Sequence, residues 1–471
     1  MQQIKTSIIP TEQTFVKKRG ELHELDKEAI CVFIATGFFL DTDTYWKDEI
    51  VLPPASINTI DDEGFLIESK PWFKWHYTPK QNSFSEVLES FSSLFEGIIN
   101  EQTSNKKVIL PLSGGLDSRT QAVALHKIDA KVYSYSYHFK NGYKESKIAK
   151  QIALECNFPF KDYQIEEGYL WNVIEELTSI NKCYSDFTHP RQMAIYNQFE
   201  KMGDIFSLGH WGDVFFDSDN LDKLSIHEEI KILKKKILKN GGLQLAESLW
   251  QFWELPNNFE TYLEKRIGQL LKNINISDSN AKIRAFKSMY WAPRWTAVNL
   301  SVFNKKHPMN LPYFDDRMCQ FICTVPEKYL ANRKIQIEYI KQNNQNLAKI
   351  TWQENKPFHL NNYYLNKLPY NLPYRVANKI KRELDGLLGK KFIQRNWELQ
   401  FLGKANETNL KKYLFDSSLQ KTIPLSLIED VYQKFKNKNQ LKYSHPVSML
   451  LTLSLFFEQN ENIKKELKEK L

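Results

Sequence analysis

The chain has 471 residues, of which 42% are hydrophobic, 25% charged and 13% aromatic, with 17 glycines and 18 prolines. This is the composition of a globular protein with core material for two domains, or for one large domain with an appendage, and it excludes long disordered tracts. The formal net charge of +8 is mild at this length; it suits an anionic small-molecule substrate, and no nucleic-acid partner is expected.

Residues 1–15 lack the apolar core of a signal peptide, and the longest apolar runs, 31–40 and 449–457, are too short to span a bilayer. No transmembrane segment is therefore expected, and a cytosolic location is. Five scattered cysteines, Cys31, Cys156, Cys183, Cys319 and Cys323, argue against a disulfide framework. Cys319 and Cys323 fall on one helical face, but no His or Cys cluster completes a metal site, so buried free thiols are the expectation.

Residues up to about 80 end in turn signals and aromatics and predict a small β-containing region. Residues 84–100 carry helical spacing in Val87, Leu88, Phe91, Leu94, Phe95, Ile98 and Ile99. An apolar, partly β-branched run at Val108, Ile109 and Leu110 predicts a buried strand. A loop of Ser113, Gly114, Gly115 and Asp117 follows, then a helix from about Ser118. Strands near 131–137, 163–165 and 204–208 and a helix near 145–156 continue the alternation. The predicted class is α/β, a parallel sheet with flanking helices, in which ligands sit beyond the carboxyl ends of the strands. From about residue 221 the chain reads mostly helical. Residues 375–395 form a basic amphipathic stretch (Val376, Ile380, Leu384, Leu387, Leu388 against Lys379, Lys381, Arg382, Lys390, Lys391). Two readings stand for it: a membrane-surface or partner-binding element, or the solvated face of a helical domain.

The strand, glycine turn and helix start at 108–120 make an anion site, where backbone N–H groups and the helix dipole converge on a phosphate. No Gly-Lys-Ser/Thr follows, so it is not a Walker loop. The spelling Ser113-Gly114-Gly115-Leu116-Asp117-Ser118 resembles the PP-loop of ATP pyrophosphatases, enzymes that split ATP between its α and β phosphates.

Three further segments extend the resemblance to the synthetase domain of the asparagine synthetase family. They are Ser207 to Phe216, around Gly209-His210-Trp211-Gly212-Asp213; Leu311-Pro312-Tyr313-Phe314-Asp315; and Ile350 to Phe358. Residues 36–55 resemble the tail of the glutaminase domain that precedes the synthetase half. The implied organisation is a truncated glutaminase-like region at 1–80 and a synthetase-like domain at 81–471, divided into a PP-loop α/β core (81–220) and a mostly helical extension (221–471). The resemblance implies ATP and Mg²⁺. Leu112, Ser113, Gly114, Gly115, Asp117 and Ser118 would cradle phosphates, with Ser136 along the adenine and Gly209 and Asp213 completing the site. Asp117 and Asp213 would hold the metal.

Three departures stand out. Position 2 is Gln2, where glutaminase domains carry a nucleophilic cysteine, so the nitrogen must come from free ammonia, a separate ammonia donor or an amine substrate. The family glutamate of the second loop is His210, which either deprotonates an incoming ammonium or is a loop histidine bonded to a neighbour. The family lysine aligns with Asn355, and Lys356 one residue later supplies a cation to the transition state if the loop shifts, and is otherwise a surface lysine. By resemblance alone the chain would enter asparagine biosynthesis; the departures point instead to a specialised amide-bond-forming ligase. The carboxylate is a small molecule, peptide or sugar acid, and the oligomeric state is left open. The alternatives are an inactive ATP-binding scaffold or regulatory subunit, and another PP-loop adenylating enzyme.

Overall fold

The computed structural model describes residues 1–142, 146–218, 221, 223–387, 392–415 and 418–469, apart from the side chains of 386 and 462–469. Its centre is a five-stranded, wholly parallel sheet in the order β10-β9-β6-β7-β8: β6 Val108–Pro111, β7 Val132–Phe139, β8 Phe160–Ile165, β9 Ile205–Ser207 and β10 Met309–Asn310. Val108, Ile109 and Leu110 are wholly buried. A strand covered on both faces must be apolar throughout, which is why this run does not alternate. The helices are α2 Phe84–Thr103, α3 Leu116–Lys127, α4 Ser146–Glu155 and α5 Tyr169–Asn181. Ser83 and Glu86 close α2 with a capping box.

The α/β class and the helical C-terminal part are as expected, with boundaries shifted by a few residues. Residue 145, expected in a helix, lies outside the described residues, as do Leu388, Lys390 and Lys391 of the basic stretch. The two-residue strand β10 was not foreseen, being too short to carry a period; its place is set by pairing with β9.

The N-terminal region contains the antiparallel sheet β1-β4-β5 (Gln2–Lys5, Ser56–Ile60, Leu66–Pro71), the pair β2-β3 (Phe15–Lys17, Glu49–Val51) and helix α1, Lys27–Thr36. Asp26 caps the start of α1, accepting from the Ala29 N–H, and Gly37 at φ 82° ends it. From Ala29 to Thr36 every residue of α1 is buried. The helix lies within the main core and packs on the helix Gly242–Phe252. An apolar run with no polar face carries no helical period, so sequence shows it only as an apolar stretch.

Candidate active site

The loop between β6 and α3 is held by its own hydroxyls. Ser118 Oγ accepts from the Ser113 N–H (3.1 Å), and Ser113 Oγ accepts from the Gly115 N–H (3.2 Å). Gly115 sits at the N-cap of α3 with no side-chain cap, so the first N–H groups of a twelve-residue helix stay open at the carboxyl end of the sheet. Arg119, fully buried one turn into α3, donates to the carbonyls of Gly114 (3.3 Å), Leu347 (3.3 Å), Ile350 (3.0 Å) and Thr351 (2.8 Å). It ties the loop to the segment that follows the helix Gln345–Lys349. There Gly114 and Gln353 bond reciprocally, Gly114 N–H to Gln353 Oε1 and Gln353 N–H to the Gly114 carbonyl, both at 3.1 Å.

The second loop follows β9 and enters the short helix α6, Gly212–Phe215. Its glycines are explained by Asp117. A Cβ at Gly209 would lie 3.1 Å from the Asp117 backbone and Cβ, and one at Gly212 would collide with the Asp117 carboxylate. Asp117 is ion-paired with Arg333 and accepts from Gln336 Nε2 (3.1 Å), which also donates to Tyr313 (2.9 Å). Arg333 and Asn332 both lie in the left-handed region, at φ 61° and 57°; backbone strain of this kind is kept only where surrounding contacts enforce it. Burial pushes the Asp117 carboxyl above its usual range; Arg333 pulls it down and the nearby Asp213 carboxylate pushes it further up.

These loops open onto a cleft of about 640 Å³. Leu112, Ser113, Gly114, Gly115, Asp117, Ser118, Ser136, Gly209, His210 and Asp213 all line it. Lys356 does not. The 3₁₀ turn Gln353–Asn355 turns Gln353 and Glu354 toward the cleft, and the lining cations are Arg191, Lys287 and Arg333. His210 lines the cleft and is exposed there, and desolvation within the cleft pushes its imidazole down to about 4 against the pull of Asp213. It is therefore neutral at pH 7.

The far wall is the π-helical segment Lys287–Thr296, whose wide turns tolerate Pro293 inside. Trp291, Trp295 and Thr296 project from it into the lining. The N-terminal region braces this wall: Arg294 donates to the carbonyls of Phe39 (3.4 Å) and Asp43, and Phe38 stacks on Trp291 at 5.8 Å. Four buried polar atoms of lining residues, Tyr135 OH, Trp291 Nε1, Trp295 Nε1 and Thr296 Oγ1, have no hydrogen-bond partner among the described residues. Sequence reasoning missed Arg333, Gln336 and this wall. They are distant in the chain from both motifs, and nothing local marks them; Tyr313, Gln353 and Glu354 lay in segments already singled out.

Among the described residues no group of three or more His, Cys, Asp or Glu side chains forms a metal site. Asp117 and Asp213 remain a donor pair of the kind Mg²⁺ uses, one or two carboxylates completed by substrate phosphate oxygens. All five cysteines are buried and their thiols are pushed up by burial, to about 12 for Cys156 and about 11 for Cys323.

The asparagine synthase family profile matches residues 91–206, the segment from α2 through β9, so the asparagine-synthetase-like recognition holds there. Curated relatives include tRNA-specific 2-thiouridylases from Ehrlichia canis (strain Jake), 28% identical over 193 residues, and Ehrlichia ruminantium (strain Gardel), 25% over 199. Each alignment covers 38% of this chain and 51% or 52% of the relative, so the chain spans about half the length of these relatives. Two solved structures overlap it at 13% identity. An NMN synthetase from Francisella tularensis has a TM-score of 0.23, covering 44% of this chain and 93% of that one. A tRNA thiolase from Methanococcus maripaludis has a TM-score of 0.20, covering 42% and 78%. The fold assignment stands on the sheet order. The family match supports an ATP-utilising adenylating family, and no described helix is long and apolar enough to cross a membrane.

Proposed function

We propose that the chain is an ATP-dependent amide-bond-forming ligase. A carboxylate oxygen attacks the α-phosphorus of ATP, and the bond to the β-phosphate oxygen breaks, so that pyrophosphate leaves and an acyl-adenylate forms. An amine nitrogen then attacks the acyl carbon, the bond to AMP breaks and the nitrogen gives up a proton. The observation that carries this reading is the uncapped N-terminus of α3, open to a cleft at the carboxyl end of a parallel sheet, within the segment matched by the family profile.

The N–H groups of that helix start receive the leaving pyrophosphate, and Gly115 lets it approach the backbone. Ser136 lies beside the adenine. Arg333 keeps Asp117 oriented toward the second loop, and Arg191 and Lys287 offset the charge that grows on the α-phosphate. Mg²⁺, held by Asp117 and Asp213, would neutralise the pyrophosphate as it departs. The half-buried Trp291 and Trp295 offer ring surface to the cleft, suited to a carboxylate that carries a ring, such as a sugar acid. His210, neutral and weakly basic, acts as a hydrogen-bonding partner of the acyl group. The nitrogen is that of ammonia or an amine substrate, and the N-terminal region braces the wall against which the carboxylate lies. The reading of the curated relatives, tRNA thiolation, finds less support: no described cysteine is exposed.

The test is carboxylate-dependent exchange of pyrophosphate into ATP, run over aspartate, uronic acids and peptide carboxylates without any amine. The reading expects exchange with one class, abolished by Asp117→Ala. Nucleotide binding with no exchange over the whole panel would assign the chain to the inactive-scaffold alternative.

A further inference from the structure

The helix Leu372–Leu387 presents its apolar side to solvent. Leu372, Val376, Ile380 and Leu384 recur every fourth residue and Leu387 follows three later, which places them on one stripe. On a helix packed against a globular core that stripe faces inward. Here Ile380 is 52% exposed, Leu384 55% and Leu387 84%, with Leu372 and Val376 exposed beside them. The half-buried side chains are Tyr374, Asn378 and Asp385, which share the opposite, polar face. The helix therefore lies with its polar face toward the protein. Just ahead of it Tyr364, Leu368 and Tyr370 are exposed as well.

Charge indicates the partner. Arg375, Lys379, Lys381 and Arg382 are exposed, and with Glu383 and Asp385 counted the helix is cationic by two charges. Lys379 and Lys381 border the stripe on its two sides, from where a lysine stem lies along an apolar surface while its ammonium reaches outward. No described helix is long and apolar enough to cross a membrane, so the stripe is suited to lying along a bilayer surface.

We propose that this helix is an interfacial membrane anchor, its leucine–isoleucine stripe seated at the acyl boundary of an anionic bilayer and its lysines and arginines at the lipid phosphates. The exposed tyrosines suit the same layer, where one end of the ring is apolar and the other wet. The proposal is independent of the ligase reading.

The test is flotation of the full-length protein with vesicles of phosphatidylcholine alone and of phosphatidylcholine mixed with phosphatidylglycerol. Binding should rise on the order of tenfold with the anionic lipid and fall as salt is raised. The double variant Ile380→Asp/Leu384→Asp should lose it with its thermal unfolding unchanged, and Lys379→Glu/Lys381→Glu should lose the anionic preference. Failure to float, equal binding to both vesicles, or a bound Asp variant would overturn the proposal. So would light scattering that shows a wild-type dimer and a monomeric Asp variant with no lipid binding, because a second copy would then own the stripe.

Discussion

Arg333 and Asp117 form an ion pair at the meeting point of the loops at residues 113–118 and 209–213, with the arginine held in a left-handed backbone conformation. Gly209 and Gly212 both pack against this aspartate. The carboxylate is thereby fixed by a cation from one direction and by close backbone from another. In the proposed mechanism it faces a charged nucleotide without having to reorganise.

Removing the cation should cost catalysis more than nucleotide binding. Arg333→Met leaves the half-buried Asp117 beside Asp213 without its partner, and pyrophosphate exchange is expected to fall by about 100-fold or more, with Arg333→Lys recovering part of it. Exchange within twofold of wild type in Arg333→Met would remove Arg333 from the site.

The glycine of the second loop can be tested by one methyl group. Gly212→Ala places a Cβ against the Asp117 carboxylate and 2.9 Å from the Tyr313 ring. Exchange should drop at least roughly tenfold as the aspartate shifts, with the far-ultraviolet circular dichroism unchanged. A fully active alanine variant would contradict the packing described.

Arg119 is expected to matter for stability. Arg119→Met strips a donor from four carbonyls around the loop, and urea unfolding should show a loss of about 3 kcal/mol or more. A loss under about 1 kcal/mol would mean those carbonyls find other partners.

Two imidazoles make a pH prediction. Desolvation pushes both His210 and His445 down to about 4, and His445 Nε2 lies 2.8 Å from the Ile34 carbonyl oxygen. In the unfolded chain they titrate near about 6.5. Below that pH the unfolded state binds protons that the folded state refuses. Stability is therefore full above the unfolded value and declines as pH falls toward about 4, with His445 contributing about 1.4 kcal/mol per unit across that window. Thermal unfolding from pH 7 down to pH 4 should show the decline, and His445→Gln should flatten it. An unchanged slope in that variant would place the acid sensitivity elsewhere.

His210 also separates two chemical roles. As a neutral hydrogen-bonding group it should tolerate His210→Gln with amide formation reduced less than about tenfold. Loss of the 100-fold or more expected of a general base, with exchange intact, would restore it as the proton acceptor.

The sequence by itself determined the parallel sheet and the glycine loop at its carboxyl end. Val108 to Ser118 is contiguous, and strand, turn and helix start follow from neighbours in the chain through backbone conformation and helix-end hydrogen bonding. The same locality made the second loop readable, because Gly209 to Asp213 lies directly after a strand. Local pattern failed wherever the partner was remote. Arg333 and Gln336 meet Asp117 across 216 and 219 residues, and Phe39 meets Arg294 across 255. Lys356 is a candidate because it follows Asn355, the position that aligns with the family lysine, yet the turn at Gln353–Asn355 directs Gln353 and Glu354 to the cleft. For the helix Leu372–Leu387, the amphipathic period was legible but its orientation was not. Which face of a helix meets the protein is decided by long-range packing, and tertiary structure alone turned that apolar stripe to the outside.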